Sequence, residues 1–503
     1  DVVSVRGLAA ALLEDHRRQD AWLGVAVEEM AAFLERYHLP SGACLESATY
    51  QLVCLGYALQ LHAAAVRRGH GGLVELPVFR HAFEFLAATQ TPIDDRCGYR
   101  MLPTLGHVTV YAWCQTLQAY FAWAAKATAG TPFSQRMMRA WQRGGGHVVS
   151  LHDYRQDNIW SQPLLMLDRE LPVAADDDDL KQSRMFEGLG AALRTRHADG
   201  SEGFVMAKMG ETHGHFDQDE GSFLWYAWGQ PLLADFGTQY DPNHHAHPWL
   251  HNRISFDHKA DEAPRDGKCV AGYLSDGVDY LCGEVVVRSQ FFHGEWPDRD
   301  PDYDMRQAGD PWDLPTPQRW RRHLLYLHEL EVIVLLDEID STLPTDWNLQ
   351  VHADSVCTGD GSAAFVGRFG VDLDVHLLKP STPKLSVSGY SHLGFDEPRG
   401  AKWWWRGARW TAPDGTRMTA MAEQALTLRA HAEPGQPYFA VLAARRRGSP
   451  QAQVEAQGEW GVQITTAAGS ATVSTEAPFE RWAVDVQTPR GKTSTCVEEE
   501  WRQ

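Results

Sequence analysis

No stretch of this chain approaches the run of about 18 apolar residues that a membrane-spanning helix needs, so no helical membrane contact is expected. Basic residues are scarce beside acidic ones: 46 Lys and Arg stand against 66 Asp and Glu, a formal net charge of -20. Nucleic acid is thereby excluded as a partner, because phosphate binding needs a basic footprint. The same balance sits awkwardly with a polyanionic substrate, although a cleft can be locally positive on an acidic protein. Cys-x-x-Cys spacing is missing among the eight cysteines (44, 54, 97, 114, 269, 282, 357 and 496), so no zinc ribbon is present. Cys54 and Cys114 lie in apolar surroundings that suit buried free thiols, while the even count leaves disulfides open. There is no internal repeat and no secretory signal. There is also no initial Met, so a leader or larger N-terminal region is expected before Asp1. A periplasmic or secreted location is expected, with the cytoplasm as the alternative.

What is present is a globular composition, 44% hydrophobic and 22% charged, over 503 residues. That length exceeds one ordinary core and implies two or three domains. Residues 1–168 read as helical. The segments Leu8–Leu13, Trp22–Leu34, Leu45–Val66, Val78–Ala88 and Val108–Ala127 repeat apolar residues at three- and four-residue spacing. Gly/Pro breaks separate them, including Gly130-Thr-Pro132, and such pairs suit an α/α bundle or toroid. Residues 169–181, with Asp176–Asp179, read as a solvated acidic linker. Beyond it the period changes to short strands bounded by Gly, Pro and Asp, including Gly203–Lys208, Val285–Arg288 and Val332–Asp337. The fold class is therefore α+β and multidomain, with a large antiparallel β-sandwich core over 182–375. Residues 376–503 form the rest of the sandwich or a small C-terminal β-domain. Phe292–Pro317, rich in Pro and Asp, reads as a loop.

Chemistry concentrates between Gly210 and Asp257. His213 and His215 are two apart, which on an extended strand turns both imidazoles to one face. Asp235 ends an apolar run after the Gly229-Gln-Pro231 turn, and His251-Asn252 follows a polar, His-rich excursion. Two imidazoles and a carboxylate from separate strands suit a borderline cation such as zinc. Against this, the chain has 23 His, and a lone His-x-His is more often structural. The added Asp and His-Asn favour a site.

The order His-x-His-x-Asp-x-x-x-x-Ser-Phe, Gly-x-Pro-Leu-Leu-x-Asp-x-Gly-x-x-Tyr, His-Asn-x-Ile resembles the core signature of the heparinase II/III-like polysaccharide lyases. The resemblance implies an incomplete N-terminal (α/α) toroid followed by the β-sandwich. It implies β-elimination at a uronic acid by Tyr/His acid-base catalysis, with an acidic polysaccharide or oligosaccharide, such as a glycosaminoglycan or alginate, as substrate. It assigns His213 to catalysis and His215, Asp235 and His251 to a structural zinc. Tyr240 is the catalytic Tyr of this segment, chosen over Tyr226 and Tyr273. On the helical side, Tyr50 and Tyr99 are further acid-base candidates. Glu46, Arg100, Asn252 and Trp160 are candidates for binding substrate. The segment Gly42–Gln51 departs from the family pattern, for it holds Glu46, Ser47 and Thr49 where an Asn or His neutralises the substrate carboxylate. Glu46 with Tyr50 also reads as an i,i+4 helical pair. The other classes weighed are a glycoside hydrolase using Glu46 and a non-catalytic glycan-binding protein. A homo-oligomer is left open.

Overall fold

The fold was analysed in a computed structural model. It describes all residues except 1, 14, 95–98, 107–113, 147–169, 176–179, 181, 211–217, 234, 236–247, 262–265, 292–311, 392–408, 412–416, 420–423 and 499–503, some by backbone alone. The architecture is mixed α+β, in two compact units, one centred on residues 1–180 and the other on the strands that follow.

The described helices of the first unit are Val2–Leu12, Gln19–Tyr37, Ala48–Val66, Pro77–Thr89, Cys114–Ala127 and Pro132–Arg143. None is long and apolar enough to cross a membrane. The last is missed by periodicity because Gly130-Thr-Pro132 reads as a break. It is in fact a start signal: Thr131 Oγ1 accepts the Ser134 N–H at 3.1 Å. Pro132, at the first helical position, has no N–H to leave unpaired.

In the second unit every strand pairing is antiparallel. One nine-stranded sheet centres on Val278–Phe291, Trp312–Leu327, Val332–Asp340 and Tyr438–Arg446. The other runs through Gln424–Ala432, Thr345–Val351, Gln230–Leu233, Phe223–Ala227 and Glu202–Lys208. Both supply one apolar core, in which Leu193, Val205, Trp225 and Leu349 meet Leu324, Leu335, Val375 and Leu442. Each such side chain contributes about 1.5–3 kcal/mol on burial. A five-stranded sheet from Gln453 to Glu498 covers the opposite face of the first sheet with Val462, Ile464, Val473 and Trp482. This explains why Val332-Ile-Val-Leu-Leu shows no alternation: Ile333 and Leu335 face one core, Val332, Val334 and Leu336 the other.

Three features refine the sequence reading. The boundary at 375 falls inside the strand Val371–Lys379, and Tyr438–Arg446 pairs with it, so the separate C-terminal sheet begins only at Gln453. The end of the expected loop Phe292–Pro317 belongs to the strand Trp312–Leu327. Pro315 and Pro317 sit opposite a register shift between Val287 and Ser289, where the ladder asks for no N–H. The six cysteines whose state is described (44, 54, 269, 282, 357 and 496) are free thiols. Burial pushes Cys269 up to about 12, far from a reactive thiolate.

One buried polar knot makes a pH prediction. Asp279 accepts from Ser183 Oγ at 2.5 Å and from the Ser275 N–H at 3.1 Å. His328 Nε2 lies 2.7 Å from Asp279 Oδ2, and its Nδ1 3.2 Å from the Asp276 carbonyl. Burial works to lower the His328 pKa, but the charge and hydrogen bond of Asp279 outweigh it and the pKa is raised. A raised folded-state pKa gives stability that is complete below the unfolded value, about 6.5, and is lost as pH rises through the folded one. His328→Gln is thus expected to cost about 1.5–3 kcal/mol at pH 5–6, the gap to wild type narrowing at alkaline pH. Denaturant unfolding across pH measures it; a gap that widens with pH contradicts the charged-histidine assignment.

Candidate functional site

The loops that carry the motif are brought together by one strand. Thr345–Val351 pairs through Val351 with Leu233, just before Asp235. Through Thr345, Asp346 and Trp347 it pairs with Phe256, Ser255 and Ile254, just after His251. Residues 16 apart in sequence therefore converge: His251 Nδ1 lies 2.7 Å from Asp235 Oδ2, and both side chains are 0% exposed.

Around this pair the polar groups are tightly committed. Asn252 Nδ2 donates to the Phe223 carbonyl at 2.7 Å, its Oδ1 accepts the Gln350 N–H at 2.6 Å, and its own N–H reaches Ser222 Oγ at 3.0 Å. Asn252 is fully buried by these bonds. It pins the loop that carries His251. Arg253 is also buried; it donates to Asp261 Oδ2 at 2.7 Å and to the Gln218 carbonyl at 2.8 Å. From the other sheet Arg322 makes a two-pronged bond to Asp337, 2.8 Å on each arm. It also donates to the carbonyls of Gly221 at 2.8 Å and Asn252 at 2.5 Å. Arg322 thus ties the turn before Phe223 to the His251 loop. Gly221 can only be glycine here: its φ is +80°, and a Cβ would lie 2.3 Å from the Trp320 ring. Sequence reading missed this scaffold. Its only signal was a charge at each end of apolar strand runs, Arg322 before Leu324 and Asp337 after Leu336.

The remaining candidates fall out as follows. His213, His215, Tyr240 and Trp160 lie outside the described residues. Tyr226 is buried in its strand, and Tyr273 packs partly on the second core. Tyr99 pairs with Asp94 across two antiparallel strands of two residues each and is described by backbone alone. Tyr50 sits half-buried in the first turn of Ala48–Val66. Arg100 is buried, with Nε on the Arg143 carbonyl at 3.0 Å and Nη1 on the Thr91 carbonyl at 2.9 Å. It clamps backbone on both sides of its hairpin strand. Glu46 precedes the helix, whose N-cap is Ser47. Its carboxylate accepts the Tyr37 phenol. Burial, then that bond and the Glu46 charge, hold the Tyr37 pKa well above the ordinary phenol value. The Glu46 carboxylate is thus shared with the Tyr37 phenol.

For a metal, the donor set at Asp235 and His251 is suitable: one imidazole nitrogen and one carboxylate oxygen, desolvated and side by side. Two ligands of a tetrahedral zinc stand about 3.3 Å apart, so the pair needs to part by only about half an ångström. Among the described residues no group of three metal-ligating side chains is gathered, and the third expected ligand, His215, is not among them.

The mixed α+β architecture, with its large antiparallel sheets, is one that solved structures share. No family model and no curated protein matches the sequence. The heparan sulfate lyase HepC from Pedobacter heparinus is similar over 100% of this chain and 66% of its own, with a TM-score of 0.66 and 11% identity. A heparinase III is similar over 99% of this chain and 65% of its own, with a TM-score of 0.64 and 12% identity. A further heparinase III structure gives a TM-score of 0.61 at 11% identity, over 99% of this chain. The chain spans about two thirds of the length of these proteins. It has the fold of the heparinase III-type lyases, and the resemblance read between Gly210 and Asp257 is borne out at that level.

Proposed function

We propose that the chain is a polysaccharide lyase that breaks a uronate-containing glycan by β-elimination, built as an incomplete (α/α) toroid followed by a β-sandwich. The observation that carries this is the meeting of Asp235 and His251, 2.7 Å apart and fully buried, at two of the three positions the motif assigns to metal. The shared fold supports it.

The chemistry asks for three groups. The proton on C5 is only weakly acidic, so the neighbouring carboxylate must be neutralised, the proton taken, and the departing O4 protonated. His213 and Tyr240 are proposed for the proton transfers, with Tyr99 and Tyr50 as the helical-side candidates. Neutralising the carboxylate does not fall to Glu46, which carries the same sign of charge as the substrate, and Arg100 already donates to two backbone carbonyls. His215, Asp235 and His251 would hold a structural zinc, which fixes the loops and takes no part in bond breaking. A periplasmic or secreted location goes with a polymeric substrate.

Incubation with alginate, heparin, heparan sulfate, chondroitin and ulvan tests the reading through the ultraviolet absorbance of the unsaturated product. One substrate should give it, and His213→Ala should abolish it. Reducing ends without that chromophore would indicate a hydrolase instead, and binding without turnover a glycan-binding protein.

A further inference from the structure

A cavity of about 420 Å³ opens in the strand-rich unit beside the five-stranded sheet, bordered by His197, Asp199, Trp228, Glu329, Arg446 and Arg490. None of these residues belongs to the site described above. Its wall is built on two residues in a conformation that large side chains avoid. Trp228 (φ +48°) and Gly229 (φ +81°) form the two-residue turn between Ala227 and Gln230. Both central residues of such a turn are left-handed, a demand that Asn-Gly meets and a bulky aromatic does not. Glu331 is left-handed as well, at φ +48°.

The two strained residues brace each other. The Trp228 N–H points at Glu331 Oε1, 3.4 Å away. The Glu331 carboxylate, 0% exposed, also accepts from Tyr326 Oη at 2.8 Å and Trp225 Nε1 at 3.2 Å, and lies 2.7 Å from His197 Nε2. Strain kept this way, against the preference of the turn, is a mark of a functional position. What it achieves is placement. The Trp228 ring lies 5.6 Å from the His197 ring, and the Arg446 guanidinium 5.3 Å from the Trp228 centroid, so one indole fixes two nitrogen-bearing side chains at one wall.

Charge and size select the ligand. Arg446, Arg490 and His197 border the cavity with Asp199 and Glu329, while Arg445 is held from behind by Asp372 and Asp374, so Arg446 and Arg490 are the cations that can turn to a ligand. Arg446 bonds Asp199 and Arg490 bonds Glu329, pairs with half-exposed arginines that a competing anion displaces at small cost. Guanidinium forks suit a carboxylate or sulfate. The volume is that of an organic ligand, and a bare anion would leave most of it unfilled.

We propose that this cavity binds a saccharide unit bearing one acidic substituent, a carboxylate or a sulfate. The acid sits on Arg446 and Arg490, the ring beside Trp228, and the hydroxyls reach His197, Asp199 and Glu329. Choosing a sugar over other organic acids rests on the lyase reading. Monosaccharide probes have no glycosidic bond to break, so their binding is judged apart from turnover.

Isothermal titration with glucuronic acid and with N-acetylglucosamine 6-sulfate is the test, with N-acetylglucosamine and inorganic sulfate as controls. At least one acidic sugar should bind about tenfold or more tighter than both controls. Trp228→Asn and Arg446→Gln should each weaken it about tenfold, a loss of about 1.4 kcal/mol. Trp228→Asn creates the favoured Asn-Gly turn, so its thermal midpoint should match or exceed wild type; Arg446→Gln is the independent variant. Absence of binding by both acidic sugars, equal binding of either control, or binding that survives both substitutions would overturn the proposal.

Discussion

Replacing Asp337 by Ala is expected to lower the unfolding free energy of the strand-rich unit by about 3–5 kcal/mol, out of the 5–15 kcal/mol typical of a domain. The attraction between Arg322 and Asp337 is not the reason, since desolvating two ions offsets most of it. What matters is the charge left behind. Arg322 is 1% exposed, under Trp320 and Phe223 at 4.8 and 5.4 Å, and without Asp337 water cannot reach it. Arg322→Met with Asp337→Leu removes both charges and should recover part of the loss. It will not recover all of it, because the carbonyls of Gly221 and Asn252 lose the donor that holds their loops together. Denaturant unfolding of the four proteins in a double-mutant cycle separates these contributions. A cost below about 1 kcal/mol for Asp337→Ala would mean that the pair does not anchor the loops.

The same loops show how far a sequence can be read. Apolar spacing located most of the helices because each buries one stripe, and it failed at Pro132–Arg143 only where a start signal looks like a stop. Asp235 and His251 were legible as metal candidates because rare residue types stand at strand ends in a recognisable order. Their meeting was not legible, since it depends on Thr345–Val351 pairing with both flanking strands about a hundred residues earlier in the chain. The partners of Arg100, Asn252 and Glu46 were not legible for one shared reason. A polar side chain that will satisfy buried backbone carbonyls, N–H groups or a phenol has the same letter as one that meets substrate. Only burial and partners tell them apart, and these are properties of the folded chain.

Asp235→Ala should strip the protein of metal and of its stability response to chelation together. Wild type purified with zinc is expected to hold one ion per chain and to lose thermal stability when chelated. A ligand bound only by the folded state stabilises it by about 4 kcal/mol at a thousandfold excess over its dissociation constant. Asp235→Ala should contain little zinc, and its midpoint should not respond to chelator. The alternative is that His251 and Asp235 form nothing more than a buried hydrogen bond at 2.7 Å. Then Asp235→Ala costs only about 1–3 kcal/mol, and chelation leaves wild type unchanged. His213→Ala distinguishes scaffold from chemistry, for it should keep both zinc and midpoint while turnover disappears. Equal metal content in wild type and Asp235→Ala would remove zinc from this site, and the carboxylate would then serve only to orient the imidazole.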